Sequence, residues 1–159
     1  MRATATGEKR ARPWRAISLA SRCPASHSAS SAASAPASAF GLRLAGIQEP
    51  HVVAETLAGS RAALFSSRWE TGPHVATEAL ALGATLVSVP MPNLEGMIDG
   101  GRFGTLAGRR SPEALAGALA AELAAWDAGR RDASAIASYG RARFSPVAVA
   151  RTLLETLSG

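Results

Sequence analysis

The chain of 159 residues has a single cysteine, Cys23, a single tyrosine and a single lysine, Lys9, and aromatic residues make up 5% of it. One thiol excludes an intramolecular disulfide and a thiolate metal site. No apolar run approaches the roughly 18 residues that a membrane span needs. No apolar core follows the basic start, so no secretory signal is read. Neither a transmembrane segment nor export is therefore expected, and a cytoplasmic location is. The closest approach to a zinc-binding His-Glu-x-x-His pattern is His74-Val75-Ala76-Thr77-Glu78, which does not match it. With no carboxylate cluster of magnesium-binding type either, no metal is predicted. Gly-x-Gly-x-x-Gly and Walker loops are absent too, which argues against the commonest dinucleotide and P-loop sites.

Acidic residues are almost missing from the start of the chain. Residues 1–40 hold six basic side chains (Arg2, Lys9, Arg10, Arg12, Arg15, Arg22) against Glu8, whereas residues 41–159 carry eleven of each sign, so the whole +5 net charge lies in the leader. The remainder is neutral and has no basic stripe with interleaved aromatics, so nucleic acid is not an expected partner. The leader is dominated by Ala, Ser and Arg and shows no hydrophobic period. Three readings of it stay open. Its composition permits a disordered tail, and an Arg- and Ser-rich, acid-poor segment also suits a transit peptide. The third reading is translation from a wrong frame or start in a GC-rich gene. The abrupt change near Phe40 and the use of sixteen Arg to one Lys favour it.

Beyond the leader the pattern is that of an α/β domain. FGLRLAG (40–46), RAALFSS (61–67), TLVSVP (85–90) and FGTLA (103–107) are short apolar runs of parallel-strand type. Helices are predicted between and after them. One starts at Pro50 and stops at Gly59, and Gly72-Pro73 opens another that Gly83 closes. Ser111-Pro112 opens a third, which Gly129 ends, and Ser145-Pro146 opens a last one. These helices are expected to cover the sheet. The predicted fold class is a partial Rossmann-like parallel sheet with flanking helices behind a disordered N-terminal leader, with the domain running over 41–159.

Glu70 and Glu78, with seven residues between them, bracket the turn from the second of these strands into its helix. In such sheets ligands bind where strands end and helices begin, because free backbone N–H groups and the positive helix end face the cleft. A carboxylate there can accept two hydroxyl hydrogen bonds from a ribose or hexose. Spacing alone does not separate this pair from two solvated glutamates. His74 lies four residues before Glu78, on the same helix face. It reads either as a hydrogen-bonding ligand residue or as a solvent-side residue of the first turn.

A longer ordered set sharpens the reading. Ser-Ser-Arg-Trp (66–69), Glu70, Thr-Gly-Pro-His-Val-Ala-Thr (71–77), Glu78, Ala-Leu-Ala-Leu-Gly and Ala-Thr-Leu-Val-Ser-Val-Pro follow one another. Asp99-Gly100 and Ser-Pro-Glu-Ala-Leu (111–115) come later. This series resembles the donor-site signature of retaining GT-B glycosyltransferases of the group 1 type, over Leu42 to Leu157. The resemblance implies a nucleotide-sugar donor, an acceptor that these residues do not identify, and transfer with retention at the anomeric carbon, without metal or other cofactor. It implies a catalytic role for Glu70, which would orient the donor sugar, and places Thr71, Gly72, Pro73, His74 and Glu78 at the donor, Glu78 on the ribose. The N–H groups of Gly72 and His74, with the helix dipole, would favour the phosphate. The common Glu-Gly-Phe-Gly loop is replaced here by Glu70-Thr71-Gly72-Pro73, so the transferred sugar is not read from it.

Such an enzyme has two domains, and the chain matches only the later part of one. The acceptor domain and the first two strands of the donor domain, which carry the diphosphate-gripping basic residues, are expected to be missing. That would leave an open edge on the strand at 61–67, a small core, and nothing for the last helix to dock on, since in the family it crosses back to the acceptor domain, with no turnover by the chain alone. The alternative is a non-catalytic module that binds a nucleotide or another protein.

Overall fold

Prolines and glycines divide the chain into elements close to where the sequence places them. The structure, a computed structural model, describes residues 47–158 and the backbone of Ile17–Ser18. Its elements are β1 (Ile17–Ser18), α1 (Pro50–Ala58), β2 (Ala62–Phe65), α2 (His74–Ala81), β3 (Thr85–Ser88), α3 (Pro92–Ile98), β4 (Gly104–Leu106), α4 (Pro112–Asp127), α5 (Ala133–Phe144) and α6 (Pro146–Ser158). The strands form one parallel sheet in the order β1-β2-β3-β4. The strand predicted at 40–46 and the disorder predicted for the leader lie outside the described residues, with one exception. Ile17 and Ser18 pair with Ala63 and Leu64, so the edge of β2 that the sequence leaves open meets a short strand from the leader, where none is predicted.

Side chains alternate along each strand, so the sheet buries two faces. Ala63, Phe65 and Leu86 point to the side covered by α1, α2, α3 and α5, where Leu57, Leu80 and Leu94 complete the larger core. Ala62, Val87 and Ala107 point to the other side and pack on α4 through Ala118. Ser111 caps α4, its hydroxyl accepting from the Ala114 N–H at 3.2 Å. In the same turn, its own backbone N–H and the Ser111 hydroxyl hold the exposed Glu113 carboxyl below the ordinary carboxylate range. That contribution is fully present above the ordinary carboxylate range and is lost as pH falls from there through the lowered value.

A buried ion pair fastens the far side of α4. Glu122, with a fully buried side chain, takes two 2.7 Å bonds from Arg131 and one of 2.6 Å from the Thr105 hydroxyl of β4. Arg131 also donates to the carbonyls of Gly101, Arg102 and Gly104. Nearby, the indole of Trp126 donates to the Thr85 hydroxyl at 3.0 Å.

Three helices differ from expectation, of which α3, seven residues long, is simply not predicted. α5 is not predicted from the sequence, yet it is the main support of α2. Asp132 caps it through the N–H groups of Ser134 and Ala135, and Tyr139 stacks on Phe103 with ring centroids 3.7 Å apart. α6 is predicted but does not cover the sheet. It packs on α5 and buries no residue, leaving Val147, Leu153, Leu154 and Leu157 exposed. No described helix is long and apolar enough to cross a membrane.

Candidate active site

Three successive strand-to-helix connections meet at the carboxyl end of the sheet: residues 66–73 after β2, 89–91 after β3 and 107–111 after β4. Glu70 lies in the first and is partly buried. Its backbone carbonyl accepts from the Asn93 side chain at the start of α3, at 2.8 Å. Thr71 and Gly72 are exposed, Pro73 is buried, and His74 is the exposed first residue of α2. Glu78 follows one turn later on the solvent side of that helix, opposite the buried Ala76, Ala79 and Leu80. All six predicted site residues therefore lie on one continuous loop and helix. Among the described residues, none donates to the carboxylate of Glu70 or of Glu78. Both can accept from a ligand.

One detail corrects the sequence reading. The N–H of His74 donates to the Gly72 carbonyl at 2.8 Å, closing a tight turn ahead of α2, so it is not available to a phosphate. The His74 carbonyl in turn accepts from the Thr77 hydroxyl at 2.7 Å. A Cβ added at Gly72 would meet nothing within 4 Å, and this residue is not among those with positive φ. Neither packing nor backbone geometry demands glycine there. Its lack of a side chain leaves the loop surface open to a ligand.

The helix that carries His74 and Glu78 is held from behind. Gly83 ends it in the left-handed region (φ 91°), where a side chain would run into the Ala133 carbonyl at 2.7 Å. Gly140 of α5 packs directly on the backbone of Leu80 and Ala81, and Arg141 donates to the Ala81 carbonyl at 3.0 Å, satisfying the helix C-terminus.

The sequence reading missed Arg110. Its guanidinium reaches out of the third connection to the Arg68 carbonyl at 2.7 Å, the Ser67 carbonyl at 3.4 Å and the Pro90 carbonyl at 2.8 Å. Nothing in the spacing of Arg109-Arg110-Ser111 signals which distant carbonyls such a side chain will find. Asn93 was missed for the same reason. Among the described residues no group of three or more His, Cys, Asp or Glu side chains is arranged to hold a metal ion.

A parallel sheet with helices on both faces and three connections meeting past the carboxyl ends of its strands is a Rossmann-like domain, the class in which ligands bind at that end. Comparison with protein families narrows the class: the model for glycosyl transferases group 1 matches residues 41–142, and the chain belongs to that family. Glycosyl transfer, with a sugar donor and an acceptor as substrates, is the chemistry this membership carries. No curated protein matches the chain.

Proposed function

We propose that the loop and helix from Glu70 to Glu78 form one wall of a nucleotide-sugar donor site in a retaining transferase of the GT-B type. The observation that carries this reading is the placement of both carboxylates on a single loop-helix unit at the carboxyl end of the sheet, inside the family-matched stretch. Glu70 orients the donor sugar hydroxyls and stabilises positive charge developing at the anomeric carbon. Glu78 accepts from the ribose hydroxyls, and Thr71, Gly72, Pro73 and His74 line the path between them. The Gly72 N–H faces the donor phosphates, with the α2 dipole behind it. The domain carrying this wall spans residues 41–159, and a cytoplasmic location goes with a nucleotide-sugar donor.

Catalysis by such a site depends on aligning two substrates across a cleft. One wall aligns a donor and not an acceptor, so donor binding is the step proposed for these residues, and turnover needs an acceptor-binding wall as well. A second reading, a non-catalytic module that binds a nucleotide or another protein, is favoured by the exposed apolar side of α6.

Thermal unfolding of the full chain with uridine, guanosine or adenosine diphosphate tests the donor site. A ligand at 100 times its Kd adds about 2.7 kcal/mol to stability. One of the three is expected to raise Tm, and Glu78→Ala to abolish the rise without changing the ligand-free Tm. No rise with any of them sinks the donor-site reading. A rise that survives Glu78→Ala removes Glu78 from the site.

A further inference from the structure

Loops at the end of a parallel sheet have no regular hydrogen-bonding partner, and their backbone is usually left to water. The loop before α2 is different. Within four residues, the carbonyls of Ser67, Arg68 and Glu70 are all held by side chains from neighbouring segments, Arg110 of the connection after β4 for the first two and Asn93 at the start of α3 for the third. Arg110 also holds Pro90 (2.8 Å) in the connection after β3. One guanidinium thus ties all three connections together. Its planar fork can serve separate carbonyls at once, whereas a lysine ammonium on a flexible stem is a point donor.

We propose that Arg110, assisted by Asn93, is a positioning residue that fixes the Glu70-bearing loop over the end of the sheet. The loop then meets its ligand in the binding conformation, so binding does not have to order it first. The value of that order for catalysis rests on the donor-site reading above; the ordering itself does not.

Amide hydrogen exchange on the full chain tests it, comparing wild type, Arg110→Ala, Arg110→Lys and Asn93→Ala, with Tm and diphosphate titrations on the same samples. Exchange at His74, Ala76 and Thr77, whose N–H groups are bonded to the loop carbonyls of Gly72 and Pro73, is expected to rise roughly tenfold in Arg110→Ala and to stay raised in Arg110→Lys, since lost hydrogen bonds of this kind shift local opening by about a factor of ten. Asn93→Ala should raise it less. Exchange in β3 and the Tm should stay near wild type, and diphosphate should bind about tenfold more weakly to Arg110→Ala. Unchanged exchange at His74, Ala76 and Thr77, full rescue by lysine, or a rise spread evenly over β3 and the rest of α2 overturns the proposal, the last by showing a merely structural role. If the loop loosens as expected but wild type binds none of the three diphosphates, the positioning role stands and the donor-site reading falls.

Discussion

Replacing Glu122 with alanine is expected to destabilise the fold by about 3–5 kcal/mol, the usual cost of removing one partner from a buried ion pair. The Arg131 side chain is only 13% exposed and would keep its charge with no carboxylate to answer it. The Thr105 hydroxyl would lose its acceptor in the same step. Against a total stability of about 5–15 kcal/mol for a typical domain, this is a large share. Chemical denaturation should show a lower midpoint with an unchanged slope. The pair Glu122→Leu with Arg131→Met provides the control, because removing both charges leaves neither one stranded; it should recover most of the loss. Equal losses for the single and double variants would mean that the ion pair does not hold α4 to β4 in the way described.

Gly140→Ala should also destabilise, although its sign runs against helix propensity. Within a helix, alanine is favoured over glycine by about 1 kcal/mol. Here the new methyl would fall 2.5 Å from the Leu80 carbonyl carbon and against the Ala81 nitrogen, both backbone atoms that cannot rotate away. Overpacking of this kind costs about 1–3 kcal/mol, and a contact this close belongs at the top of that range. The net loss should be about 2 kcal/mol, and Gly140→Val should lose more. A gain in Tm for Gly140→Ala would show that α2 and α5 do not touch there. Because α2 carries His74 and Glu78, displacing it should also weaken whatever binds at its N-terminal end.

The strands β2, β3 and β4 and the helices α1, α2, α4 and α6 were legible because the sequence marks their ends. Apolar runs such as Ala62–Phe65 are bounded by turn residues, and Ser111-Pro112 and Gly83 act at short range. α5 was not legible. Its sequence is weakly apolar and carries Gly140 inside it, a residue that reads as a breaker until its close approach to α2 is known. α3 is seven residues long and contains Gly96, so its periodicity is too brief to register. The place of α6 was not legible from its own residues, because an apolar stripe says that a face seeks cover, not what supplies it. At the site, Glu70 and Glu78 emerged from an ordered series of local motifs. Arg110 and Asn93 did not, since their acceptors lie up to 43 residues away in sequence. Only the finished sheet brings them together.

The two described tryptophans divide the protein optically. Trp126 is half-buried, with its indole N–H bonded to Thr85. Trp69, next to Glu70, is 77% exposed. With Trp14 replaced by phenylalanine, fluorescence quenched by iodide should therefore come largely from the site loop, while Trp126 is shielded. A ligand that settles against Glu70 shields Trp69 as well, so the fraction of emission open to iodide becomes a direct signal of occupancy, with no label attached to the chain.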